Sequence, residues 1–155
     1  MMQKRLRMFF SYVLVLVICL GNVSGVKAAD EQECVDGSYL VSDEYSEGSS
    51  IALTRGVYLG SGSSTITKEG TGKIGAGGKT IGQTTVATIS ITVRVEKLVN
   101  GSWTTYKTWT TTKYNSAYVS TSKVLSVPTG YYYRVYSTHK ANSDISGSFT
   151  NGIHV

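Results

Sequence analysis

Scarcity of the usual catalytic residues bounds this sequence before any pattern is sought. Histidine occurs only at His139 and His154, without metal-ligand spacing to each other or to cysteine, so a zinc site is not expected. Of two cysteines, Cys19 lies in the N-terminal apolar run, which leaves Cys34 alone in the mature chain. No internal disulfide can then form, and the fold must stand on its hydrophobic core. Acidic residues beyond residue 50 are limited to Glu69, Glu96 and Asp144, which offers glycosidase chemistry no evident pair of positioned carboxylates. His139 and Asp144 have the chemistry to serve a hydroxyl nucleophile, but no nucleophile elbow accompanies them. The expectation is a non-enzyme with no catalytic residue, metal ligand or cofactor site.

A long apolar run is also missing. Phe9 to Leu20 gives about a dozen residues, short of the roughly 20 a membrane-spanning helix needs. With Lys4, Arg5 and Arg7 before it and Val26-Lys27-Ala28 after it, residues 1–28 read as a secretory signal peptide cleaved near Ala28/Ala29. The expected product is secreted and carries no transmembrane anchor. Its loss removes four basic residues and leaves 11 basic against 10 acidic, a net charge of +1, so the charge is no argument for a nucleic-acid partner. The charges are segregated, however. Residues 29–50 hold seven acidic residues and no basic ones, while residues 51–155 carry a net charge of +8. The first segment reads either as a flexible acidic leader or as an extended strip laid on the basic body. That body suits an anionic envelope polymer, and it equally suits lysines that discourage strand edges from pairing.

What is present is β structure. Ile89, Ile91, Val93 and Val95 alternate with Ser90, Thr92, Arg94 and Glu96, the pattern of a strand with one buried and one wet face. Asn100-Gly101 tolerates the positive φ of a tight turn, and Ser102 to Thr112 returns in residues that fit a pleated surface. Further strands are expected at Ile51–Leu59, within the eight-glycine stretch Gly60–Gly82, at Tyr118–Val127, at Tyr131–Thr138 and after Asp144. One proline, frequent turn signals and no helical periodicity after residue 30 predict an all-β fold. The expected form is a single antiparallel β-sandwich of six to eight short strands over 51–155, with a small barrel as the alternative. The expected core is Ile89, Ile91, Val93, Val95, Leu125, Val127, Tyr133, Val135, Phe149 and Ile153.

Several segments together resemble a known family. They are DGSYL at Asp36–Leu40, RGVYL at Arg55–Leu59, a glycine-rich run, a TVRVEK strand, NGSW with a second Trp six residues on, and GYYYRVYSTH at Gly130–His139. In these the chain resembles a family of small exported proteins of unknown function from Gram-positive bacteria. The resemblance implies secretion and a β fold; it implies no activity, cofactor or catalytic residue.

Two motifs compete for a functional reading. Gly72 to Thr80 looks like a phosphate-binding loop, but counting back from Gly78 puts Lys73 where a glycine is required, and the continuation is strand rather than helix. A glycine-rich hairpin is the simpler reading. The aromatic set between Trp103 and Tyr136 is better placed for recognition. Tyr132, Arg134 and Tyr136 share one face of their strand, and Trp103, Trp109 and Lys107 lie on the neighbouring hairpin. The Trp positions depend on register. A two-residue turn puts both on the solvent side, whereas a three-residue loop pairs Val99 with Trp103 and Val93 with Trp109 and buries both. The buried register is preferred because it covers more apolar surface. The function expected from this set is a non-catalytic binding or surface module for a glycan, wall polymer or protein. The alternative is an antibacterial or toxin-like protein acting on anionic envelopes.

Overall fold

A computed structural model describes residues 32–50 and 56–155. The signal-peptide segment, the Ala28/Ala29 junction and most of the Ile51–Leu59 strand candidate lie outside them. Among the described residues every regular element is a strand: β1 (Cys34–Val35), β2 (Ser38–Val41), β3 (Tyr45–Ser49), β4 (Leu59–Gly70), β5 (Lys73–Val99), β6 (Ser102–Ser126), β7 (Tyr132–Ala141), β8 (Asp144–Phe149) and β9 (Gly152–His154). The all-β expectation holds, with two differences. There are nine strands, and β5 and β6 run to 27 and 25 residues. One pair, β2 with β9, is parallel; the others are antiparallel.

The two long strands explain the architecture. They pair along nearly their whole length, but the ladder is interrupted between Ile81 and Val86, where Gly82 to Thr85 have no partner on β6. Asn115 takes a positive φ of 48° at the matching point of β6. An interruption of this kind bends a ribbon and increases its twist. The first half of β5 carries β4 and then β3 on its free edge; the second half carries β7, which is followed by β8 and β9 end to end, then β2 and β1. One sheet thus curls back on itself, and both layers share the same two strands.

The inner faces follow from the alternation. Ile89, Ile91, Val93 and Val95 are fully buried and pair with Ala141, His139, Ser137 and Val135 of β7. Ile66 of β4, Ile74 and Ala76 of β5, and Val119 of β6 complete the opposing wall. Each fully buried Val or Ile contributes about 1.5–3 kcal/mol over leaving it in water. Of the expected core, Leu125 is partly buried against this cluster and Phe149 is half-buried, while the other eight are buried.

Residues 34–49, within the acidic segment 29–50, are strands of the same sheet, paired to β9 through β2 and to β4 through β3. Asp36-Gly37 turns β1 into β2 with φ values of 47° and 78°, the double positive φ of a tight hairpin. Gly72 to Thr80 also falls where a hairpin reading puts it, as a turn at Gly72 (φ +66°) leading into β5.

A chain of hydrogen bonds ties the layers together at their centre. His139 of β7 has no exposed surface, and its ring contacts the hydroxyls of Thr80 (Nδ1, 2.8 Å) and Ser148 (Nε2, 2.7 Å). Thr80 donates to the Ser90 carbonyl, so it accepts from Nδ1–H; Nε2 then accepts from Ser148, which lies 2.6 Å from Ser64 Oγ. This single neutral tautomer satisfies every member. Gly62 makes room for the ring, since a Cβ there would sit 2.3 Å from His139 Cγ. Burial denies an imidazolium its hydration and pushes the His139 pKa down to about 4.

The unfolded chain therefore takes up this proton first, below pH 6.5. Stability from a neutral buried His139 is complete above pH 6.5 and is lost as pH falls towards about 4, by on the order of 3 kcal/mol. Urea denaturation between pH 7 and pH 4 checks this. His139→Gln should be less stable at pH 7 and should flatten that portion of the profile; an unchanged slope would refute the assignment.

Candidate functional site

The hairpin register decides where the predicted site residues lie, and it combines both expectations. The turn is the two-residue Asn100-Gly101, with φ values of 50° and 75°, so Val99 pairs with Ser102 and Leu98 with Trp103. Tyr106 is then an extra residue, since Glu96 pairs with Thr105 and Val95 with Lys107. This bulge shifts the remaining register by one and brings Trp109 opposite Val93. The preferred three-residue loop is therefore corrected: its Val93–Trp109 pairing is present, but a bulge five residues after the turn produces it. As a result the tryptophans part company. Trp109 packs against the core and donates Nε1–H to Thr121, whereas Trp103 lies on the other face of the sheet.

On that face Trp103 meets Arg134 and the β1–β2 hairpin, and Arg134 in turn meets Glu96. Arg134 and Glu96 are paired across β5 and β7, and they are 6% and 5% exposed. Arg134 Nε donates to Glu96 Oε2 at 2.8 Å, and its Nη1 donates to the Asp36 carbonyl and to Ser38 Oγ. The guanidinium stacks over Trp103 at 4.6 Å, and the Phe149 ring is 5.8 Å away. Trp103 in turn donates Nε1–H to the Val35 carbonyl. The other Glu96 oxygen accepts from Arg94, which stacks on Tyr136 at 4.6 Å.

These contacts place each residue of the proposed Tyr132/Arg134/Tyr136 strip. Arg134 is internal and clasps the N-terminal hairpin; Tyr136 is half-buried under Arg94; Tyr132 is half-buried edge-on to His154 at 5.0 Å. Lys107 is exposed on β6, away from the clasp. The structure joins Trp103 to Arg134 and leaves Trp109 and Lys107 apart from them. His139 and Asp144 are not a pair either: the Asp144 carboxylate accepts from the backbone N–H groups of Tyr58 and Leu59, which hold its pKa down.

An open concavity lies elsewhere, on the outer face of β3, β4, the first half of β5 and the second half of β6. It encloses about 480 Å³. Register builds it. Glu47, Thr65, Gly77 and Ser122 form one cross-strand row, and Ser63, Lys79 and Ser120 lie in the next. Tyr45 on β3 and Tyr118 on β6 border it at opposite corners, 52% and 45% exposed. Gly77 leaves part of the floor bare, where a Cβ would come within 2.4 Å of the Thr121 carbonyl. The Tyr45 hydroxyl donates to Glu47 Oε2 at 2.9 Å. That bond first, the nearby Ser63 hydroxyl and Lys79 together hold the Glu47 carboxyl below its ordinary range.

Sequence reasoning missed this groove because its residues come from three separated segments, one of them the acidic stretch set apart from the body. The usable signal was small: serine and threonine at the outward positions of β4, the threonines facing Gly75 and Gly77 of β5.

Among the described residues no cluster of three His, Cys, Asp or Glu is placed to hold a metal, and no helix is long and apolar enough to cross a membrane. The model of a family of unknown function (DUF6147) matches residues 27–153. No curated protein and no solved structure matches the chain.

The clasp carries a stability prediction. Arg134→Ala leaves Glu96 buried with its inner partner gone and should cost about 3–5 kcal/mol in chemical denaturation. Replacing both, Arg134→Met with Glu96→Met, should cost less than Arg134→Ala alone. Equal losses would mean that the ion pair is not what holds the hairpin.

Proposed function

The chain belongs to a family of unknown function, and on that premise we propose that it is an exported, non-catalytic binding module that recognises a glycan, wall polymer or protein through one β face. The observation that carries this reading is the groove between Tyr45 and Tyr118. It is concave, accessible, edged by two aromatic rings and lined between them by serine, threonine and glycine with one carboxylate and one ammonium group, a composition suited to a polar ligand. The Arg134–Trp103 cluster supports it indirectly: with those residues engaged in holding β1 and β2, the recognition face moves to the opposite layer. Export rests on the leader at residues 1–28.

The toxin-like alternative draws less support. It relies on a basic body acting on anionic envelopes, but Glu33, Asp36, Asp43, Glu44 and Glu47 lie on that same body and offset its charge.

Purified protein should be retained on cell-wall sacculi or on a glycan array. Tyr45→Ala combined with Tyr118→Ala should abolish retention while leaving the thermal transition in place, and Lys107→Ala should change neither. No retention on sacculi or array would overturn the reading.

A further inference from the structure

The groove has one feature that its role in the fold does not explain. Ser63 is 4% exposed, lines the groove, and its hydroxyl has no hydrogen-bond partner among the described residues. It approaches the Glu47 carboxylate and helps hold that carboxyl below its ordinary range, without forming a well-aligned hydrogen bond. A buried hydroxyl without a partner costs the fold its desolvation, and one that lines a groove is open to a partner arriving there. Ser137 and Ser146 share the condition, but away from the groove.

Charge narrows the class of that incoming group. Glu47 and Lys79 are the two charged side chains lining the groove, one of each sign. A polyanion would meet the Glu47 carboxylate, and a polycation would meet Lys79. A protein partner would need an apolar centre to dehydrate, yet between the two tyrosines the lining is serine, threonine and glycine. A neutral polyhydroxylated chain meets all the groups present. Its hydroxyls donate to the free oxygen of Glu47 and accept from Lys79 and Ser63. The apolar faces of its rings rest on Tyr45 and Tyr118.

Resting on the binding-module reading, the geometry points to a neutral saccharide chain lying diagonally across the outer face from Tyr45 to Tyr118. Glu47, Lys79 and Ser63 supply its central polar contacts. The chain is a linear oligomer rather than a single ring, because the two aromatic platforms stand at opposite corners of four strands.

Calorimetric titration with cellohexaose, chitohexaose and mannohexaose, and with polygalacturonate as the anionic counterpart, tests the assignment. At least one neutral hexasaccharide should bind, with little dependence on salt. Tyr118→Ala and Glu47→Gln should each weaken it by about tenfold. Ser63→Ala should weaken binding while leaving the melting temperature unchanged or raised, whereas a hydroxyl needed by the fold would lower it. Binding of polygalacturonate alone, fading as salt rises, would overturn the assignment, as would neutral binding that survives Tyr118→Ala and Glu47→Gln. If no hexasaccharide binds but sacculi still retain the protein, the saccharide assignment fails and the binding-module reading stands. If neither occurs, both fail.

Discussion

A buried guanidinium–carboxylate pair organises one whole layer of this protein. Arg134 and Glu96 lie opposite each other on β7 and β5, shielded from water by Trp103, Phe149 and the β1–β2 hairpin. Such a pair is costly unless its remaining donors and acceptors are satisfied. Here the second Glu96 oxygen takes Arg94, and Arg134 Nη1 takes the Asp36 carbonyl and Ser38 hydroxyl. Satisfying the pair is therefore the same act as docking the N-terminal hairpin. Four segments far apart in the chain meet at this point: Asp36 and Ser38 from DGSYL, Arg94 and Glu96 from TVRVEK, Trp103 from NGSW, and Arg134 and Tyr136 from GYYYRVYSTH. Their convergence gives those motifs a physical meaning, since together they close one layer of the fold.

The sandwich was legible where local pattern decides structure. Ile89 to Val95 buries the predicted face, Asn100-Gly101 makes the predicted turn, and eight of ten expected core residues are buried. It was illegible where a single inserted residue decides. The bulge at Tyr106 has no distinctive composition, yet it sends Trp109 inward and leaves Trp103 on the outer face. The strip Tyr132–Arg134–Tyr136 shows a related limit. Alternation places these residues on the face opposite Val135, but only tertiary structure shows that a hairpin from the other end of the chain covers Arg134.

Charge segregation in the sequence does not reveal where the acidic stretch lies in the fold. The acidic stretch reads from sequence either as a flexible leader or as a strip laid on the basic body, and the structure weaves residues 34–49 into both layers. β2 lies beside β9 in one, and β3 beside β4 in the other. The carboxylate that matters to the groove, Glu47, comes from that stretch, and the ammonium near it, Lys79, from the glycine-rich run. The groove thus depends on a strand pairing that neither segment announces alone. Glycine contributes by removing side chains from the floor, which composition records only as a bias.

The hairpin clasp also fixes an order of events in time. Asp36 and Ser38 find their partner 98 and 96 residues further along, at Arg134, and Ser38 also bonds the Thr150 carbonyl. Contacts of such long reach form slowly, because a large loop must close before they are rewarded. The first strands to emerge are then the last to be secured. While the chain is being made, the β1–β2 hairpin stays undocked until β7 and β9 have appeared, whereas β3 finds β4 much sooner.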